Sequence, residues 1–146
     1  YNTIVMKVDD LDAFIAAFAE AAAADAEVEN SISRLSPCNQ TFDFTAPEDF
    51  ESKARDVVIA WRSKLAGKSF HVRLHRRGFR KQLPSPREER FLDGALRAAL
   101  DAEGTPGRIT FDDPDAVIDV ETVGGRAGLS LWTRDDLARY AFLKVD

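Results

Sequence analysis

The spacing of apolar positions changes several times along the chain, and each change marks an element. Thr3 to Val8 is rich in β-branched and apolar residues, and Asp9 and Asp10 then precede Leu11, Phe14, Ile15 and Phe18, which share one helical face. The pattern predicts a strand and then a helix, which the alanine tract Ala21 to Ala24 extends. Val28 to Leu35 reads as a second strand ended by Pro37, so a small β-α-β unit is expected at the N-terminal end. A short extended piece, Gln40 to Phe44, leads into Thr45-Ala-Pro-Glu48. There Thr45 is placed to cap, Pro47 suits a first turn and Glu48 completes a capping box. Phe50, Ala54, Val57, Val58, Trp61 and Leu65 follow at helical spacing, up to a stop at Gly67.

From Ser69 the period becomes two: Phe70, Val72 and Leu74 share one face of a strand, and His71, Arg73 and His75 the other. Arg76 to Pro84 has no apolar period and reads as an exposed loop. Ser85-Pro-Arg-Glu88 repeats the capping pattern before a helix carrying Phe91, Leu92, Ala95, Leu96, Ala99 and Leu100, which Gly104 and Gly107 end. Arg108 to Phe111, Ala116 to Val123 and Arg126 to Trp132 read as strands, the last two joined by Gly124-Gly125 as a hairpin. Thr133 to Tyr140 suits a helical turn, and Ala141 to Val145 a strand or a fraying tail. Strand, helix and strand over 69 to 123, with a hairpin added, give an α/β or α+β class built on a mixed sheet.

Composition bounds this picture. The chain has 146 residues, 45% of them hydrophobic and 31% charged, which suits one globular domain or one domain with a small appendage and excludes a large multidomain enzyme. The longest apolar run, Phe14 to Ala24, is broken by Glu20 and is about half a membrane span, so no membrane association is expected. One cysteine, Cys38, cannot form an internal disulfide, and no charged-then-apolar leader opens the sequence. A cytoplasmic location is the expectation.

Charge says more through its position than through its sum. Between Lys68 and Arg90 stand Lys68, Arg73, Arg76, Arg77, Arg80, Lys81, Arg87 and Arg90 against Glu88 and Glu89 alone, a stretch of +6 in a chain of net −5. The remainder therefore carries −11, and an acidic body bearing a compact basic segment points to an anionic partner. Arginines fork onto phosphate oxygens, and a helix starting near Ser85 offers free N–H groups, so phosphate is favoured. Phe79, among the cations, is a candidate for stacking on an unpaired base, or for burial. The alternative for the whole segment is a solvated cationic loop paired with the acidic body.

Other raw material is sparse. His71 and His75 share a strand face about 13 Å apart, too far for a joint metal site, and the neighbouring arginines oppose a cation; both are expected at the surface, beside a phosphate site. Asp112, Asp113 and Asp115 suit a turn, Gly124-Gly125 a hairpin, Cys38 a structural thiol, and Trp61 and Trp132 the core. No Walker or G-x-G-x-x-G spacing occurs.

In order along the chain stand a Pro and Thr-Phe-x-Phe stretch from Pro37, Pro47-Glu-Asp-Phe50, Ser69-Phe-His-Val-Arg73, Arg76-Arg-Gly78, the Ser85 helix start, and Asp113-Pro-Asp115 before Val117-Ile-Asp-Val120. This set, to about Trp132, resembles the THUMP domain of tRNA-modifying proteins. The resemblance implies a THUMP-like RNA-binding domain over residues 45–146, preceded by a ferredoxin-like unit over residues 1–44, as in the free-standing tRNA-acetylation adaptor. It implies a module without catalysis or cofactor that recognises tRNA at its acceptor end and presents it to a tRNA-modifying enzyme such as an acetyltransferase. Its RNA-facing surface corresponds to Arg73, Arg76, Arg77, Arg80, Lys81 and Arg87, with His75 and Phe79 beside them. The competing readings are a protein-interaction module that docks a modifying enzyme, and an enzyme built on His71, His75, Cys38 and the aspartate turn.

Overall fold

The computed structural model describes residues 3–145. Asp10 caps α1 (Leu11–Ala24) by accepting from the Ala13 N–H at 3.0 Å, and Asp25 caps the short α2 (Ala26–Asn30) in the same way through Glu27. Neither expected N-terminal strand forms. Thr3 to Val8 has no regular structure, and Ile4, Val5 and Met6 are exposed; Val28 to Leu35 is helical up to Asn30 and irregular beyond. Each segment was to be the other's partner. Once Asp25 starts a helix, the second strand is gone, and an unpaired strand has no ladder to hold it. The β-α-β unit is thus reduced to its helix.

The remaining elements follow the sequence pattern closely. They are β1 (Gln40–Asp43), α3 (Pro47–Ala60), α4 (Arg62–Leu65), β2 (Ser69–Arg77), α5 (Ser85–Ala102), β3 (Arg108–Ile109), β4 (Ala116–Val123), β5 (Arg126–Thr133) and α6 (Arg134–Arg139). The five strands make one mixed sheet in the order β1-β5-β4-β2-β3. β2 runs parallel to β3 and β4, β4 and β5 form the antiparallel hairpin through Gly124-Gly125, and β1 pairs antiparallel with β5. The class is α/β with a mixed sheet, as the sequence predicts.

Both capping boxes differ from expectation. Ala46 and Pro84 occupy the cap positions without a side-chain bond, and Asp49, rather than Glu48, accepts from the Thr45 N–H at 3.1 Å. Proline in the first turn removes one of the donors a cap would satisfy, so the side-chain cap is dispensable.

The sheet has two unlike faces. On one, Phe70, Val72, Leu74, Ile118, Val120 and Leu129 pack against Phe50, Ala54 and Val58 of α3 and Leu92, Leu96 and Leu100 of α5. On the other, Val117 and Trp132, paired across β4 and β5, meet Ile15 of α1 and the C-terminal residues Phe142, Leu143 and Val145. That C-terminal stretch is neither strand nor frayed; its apolar side chains close the smaller core. The aspartate turn ties the sheet together: Asp115 accepts from the Ser69 N–H at 2.8 Å, and Asp113 pairs with Arg134 at 2.9 Å.

One edge of β2 lacks a full-length neighbour, because β3 pairs only with Ser69 and Phe70. Helix α5 fills the gap. Asp93 accepts from the Val72 N–H and Glu89 from the Leu74 N–H, each at 3.0 Å. Four residues of helix rise about 6 Å and two of strand about 6.6 Å, so carboxylates spaced i, i+4 meet alternate strand N–H groups.

Candidate functional site

Strand β2 delivers the basic segment and reaches two residues further than the sequence predicts, taking in Arg76 and Arg77. It then breaks at Gly78, with φ +97°, a conformation that side chains disfavour, and the Gly124 N–H closes onto the Arg77 carbonyl at 2.7 Å. Phe79 follows at φ +52°, and the Leu83 N–H returns to its carbonyl at 2.8 Å. Leu83 is fully buried and anchors the loop's far end, leaving Arg80, Lys81 and Gln82 exposed between two fixed points.

The cations of this segment divide into two sets. Arg73, Arg77 and Arg87 have internal acids: Glu89 at 4.0 Å, Glu121 at 3.3 Å, and Glu88 at 2.9 Å with Glu51 at 3.8 Å. Among the described residues, Arg76, Arg80, Lys81 and Arg90 have neither an ion pair nor a side-chain hydrogen bond. Arg80, Lys81 and Arg90 are exposed. Lys68 lies before the start of β2, about 26 Å of strand away from the loop, so the +6 stretch is not one patch. The first turn of α5 is less open to phosphate than the sequence suggests. Arg87 and Glu88 both return their N–H groups to the Pro84 carbonyl, and the buried Glu88 carboxyl sits there, pushed above its ordinary range by burial and by Glu51.

The histidines are not the exposed pair that the sequence predicts. His71 is buried, its ring 5.1 Å from Phe111. His75 points into a cluster that the sequence reading missed, formed with Asp119 and Glu121 of β4 and Arg34 of the segment between α2 and β1. Its Nδ1 lies 3.0 Å from Glu121 Oε2 and 3.3 Å from Asp119 Oδ1, and these carboxylates raise its pKa to about 9. Burial pushes Asp119 up to about 6, while the His75 bond and Arg34 hold Glu121 below its ordinary value. The signal was the alternation Ile118-Asp-Val-Glu121, which puts both acids on the face opposite the main core. What it lacked was the register, Arg73 beside Asp119 and His75 beside Glu121, which only strand pairing supplies.

Phe79 is half-buried, its ring 5.4 Å from Phe44 of the main core and so partly spent on packing. Among the described residues the exposed aromatic is instead Phe111, 64% accessible, with the Arg73 guanidinium carbon 5.9 Å from its ring centre. Cys38 lies against Gly128, and burial with the nearby Asp119 raises its thiol to about 12, so it stays protonated at neutral pH. No helix among the described residues is long and apolar enough to cross a membrane.

No family model matches this chain, and neither does any curated relative. Among solved structures it is similar to TrmN from Thermus thermophilus, with 25% identity and a TM-score of 0.49, over 64% of this chain and 27% of that one. It is also similar to PH1313 from Pyrococcus horikoshii Ot3, with 14% identity and a TM-score of 0.48, over 74% of this chain and 38% of that one. The chain thus spans less than two fifths of the length of either.

Proposed function

We propose that this chain is a non-catalytic RNA-binding module that takes tRNA at its acceptor end and presents it to a tRNA-modifying enzyme, for which an acetyltransferase is one candidate. The observation that carries the reading is the state of the loop after β2. In an acidic protein, a solvated cationic loop is expected to pair with the body, yet Arg80 and Lys81 are exposed without an acid partner while three neighbouring arginines are paired. Unneutralised cations held on an anchored loop favour a polyanion. The ordered resemblance to the THUMP family supports tRNA as that polyanion and a role without catalysis. Arg76, Arg80 and Lys81 are the principal phosphate contacts in this reading, with Arg73 and Arg77 beside them.

The test is equilibrium binding of tRNA at two salt concentrations, against a tRNA lacking its single-stranded 3′ end. Binding is expected to weaken steeply with salt and to weaken further without that end. Reversal of both loop cations, Arg80→Glu with Lys81→Glu, is expected to lower affinity and to flatten the plot of log K against log salt by about 0.7–0.9 per lost contact. Because both residues are exposed, the melting temperature should be unchanged. Undiminished binding by the folded double variant would remove the loop from the interface, and absence of binding at low salt would overturn the RNA reading.

A further inference from the structure

Outside the basic loop, three metal-ligating side chains converge on one spot of the second sheet face: His75, Asp119 and Glu121 each offer one ligand atom, all within 4.8 Å of one another. His75 Nδ1 is 3.0 Å from Glu121 Oε2 and 3.3 Å from Asp119 Oδ1. Zinc bonds to nitrogen and oxygen of about 2.0–2.1 Å put neighbouring ligand atoms about 3.0 Å apart at a right angle and about 3.3 Å apart at the tetrahedral angle. The two nitrogen–oxygen separations match those between neighbouring ligands of a coordination shell, and the carboxylates have only to close onto the ion. His75 and Glu121 are register partners on adjacent strands, so the set is held by the sheet rather than by a loop.

A cationic atom already occupies the focus. Arg34 Nη2 lies 2.5 Å from Glu121 Oε2, 2.6 Å from His75 Nδ1 and 3.3 Å from Asp119 Oδ1. Hydrogen bonding cannot satisfy all of these contacts together. A protonated Nδ1 donates to the carboxylates but then sets its N–H against a guanidinium that only donates. An unprotonated Nδ1 accepts from Arg34 but turns its lone pair toward two carboxylates. A bare divalent ion has no such conflict, since it only accepts lone pairs, which an unprotonated Nδ1 and two carboxylates can supply, and the carboxylates balance its charge.

We propose that His75, Asp119 and Glu121 bind one divalent ion of the zinc type, and that Arg34 stands in the ion's position and leaves it when the ion binds. The imidazole favours zinc-like ions over magnesium or calcium, which prefer oxygen alone. Arg34 is on an irregular segment outside the sheet, so its departure leaves the strands that carry the three ligands paired. Arg77 stays on the other Glu121 oxygen, at 3.3 Å, as an outer contact. The cluster does not involve His71, whose distance from His75 is what makes a histidine-pair site implausible.

The experiment is titration of the full chain with Zn²⁺ by calorimetry, and with Co²⁺ by visible absorption; it needs no RNA, so its outcome is separate from that of the RNA reading. One equivalent is expected to bind. Arg34→Ala should bind about tenfold more tightly, because no guanidinium has to be expelled, and His75→Gln added to Arg34→Ala should weaken binding by about 100-fold and change the Co²⁺ spectrum. His75 is half-buried, so its Gln variant tests the ligand without removing a core side chain. The proposal is overturned if Arg34→Ala binds no ion, or if the added His75→Gln leaves affinity and spectrum unchanged.

Discussion

Two phenylalanines show how a side chain's role depends on what surrounds it. Phe79 lies among the cations in sequence but gives part of its ring to Phe44, whereas Phe111 looks like the end of a strand and is left exposed under Arg73. If RNA lies across this face, Phe111 offers the more exposed ring. Phe111→Ala is then expected to weaken tRNA binding by about 1–3 kcal/mol while leaving the salt slope unchanged, because stacking releases no counterions. Binding at two salt concentrations separates this from the loop-charge variant. Cys38 was legible as a structural thiol, but its partner was not. A Cβ at Gly128 would lie 2.5 Å from the Cys38 sulfur, so Gly128→Ala is expected to destabilise the fold by about 1–3 kcal/mol in denaturant unfolding. Nothing in the sequence brings residues 38 and 128 together.

At the scale of elements, periodicity was a reliable guide wherever an apolar face had a core to meet, as in α3, α5, β2 and the β4–β5 hairpin. It failed at the N-terminal end, where Thr3 to Val8 has strand composition but no partner. It was also silent on how α5 closes the open edge of β2. Burial pushes the Asp93 carboxyl up to about 7 even though it accepts the Val72 N–H. The folded chain therefore keeps a proton that the unfolded chain, with its carboxyl near 3.8, gives up. Between about pH 4 and pH 7 the native state binds more protons, so stability is highest at the acid end of this window and falls as pH rises. Asp93→Asn retains the accepting oxygen and removes that loss. Thermal unfolding should find the variant and the wild type alike near pH 4, with the variant more stable at pH 8 by up to about 4 kcal/mol.

For the whole molecule, the question is which residues the sheet needs. β1, within the residues read as the N-terminal unit, is the outer strand beside β5, and Phe44 is buried in the main core. A chain beginning at Thr45 loses both, and is expected to be less stable than one beginning at Gln40 by at least about 3 kcal/mol, as measured by urea unfolding. A chain beginning at Gln40 still lacks Ile15 over Val117 and Trp132, so it should melt below the full chain. The sequence by itself determined the order and type of most elements, the two-faced character of β2 and the basic loop, because these follow from the local period of apolar residues and from the local density of charge. Tertiary structure decided which cations stay unpaired, which aromatic is exposed, and that Arg34, His75, Asp119 and Glu121 meet. The bonds that join Arg34 to that cluster span 41 to 87 positions and depend on strand order and register, which no local pattern encodes.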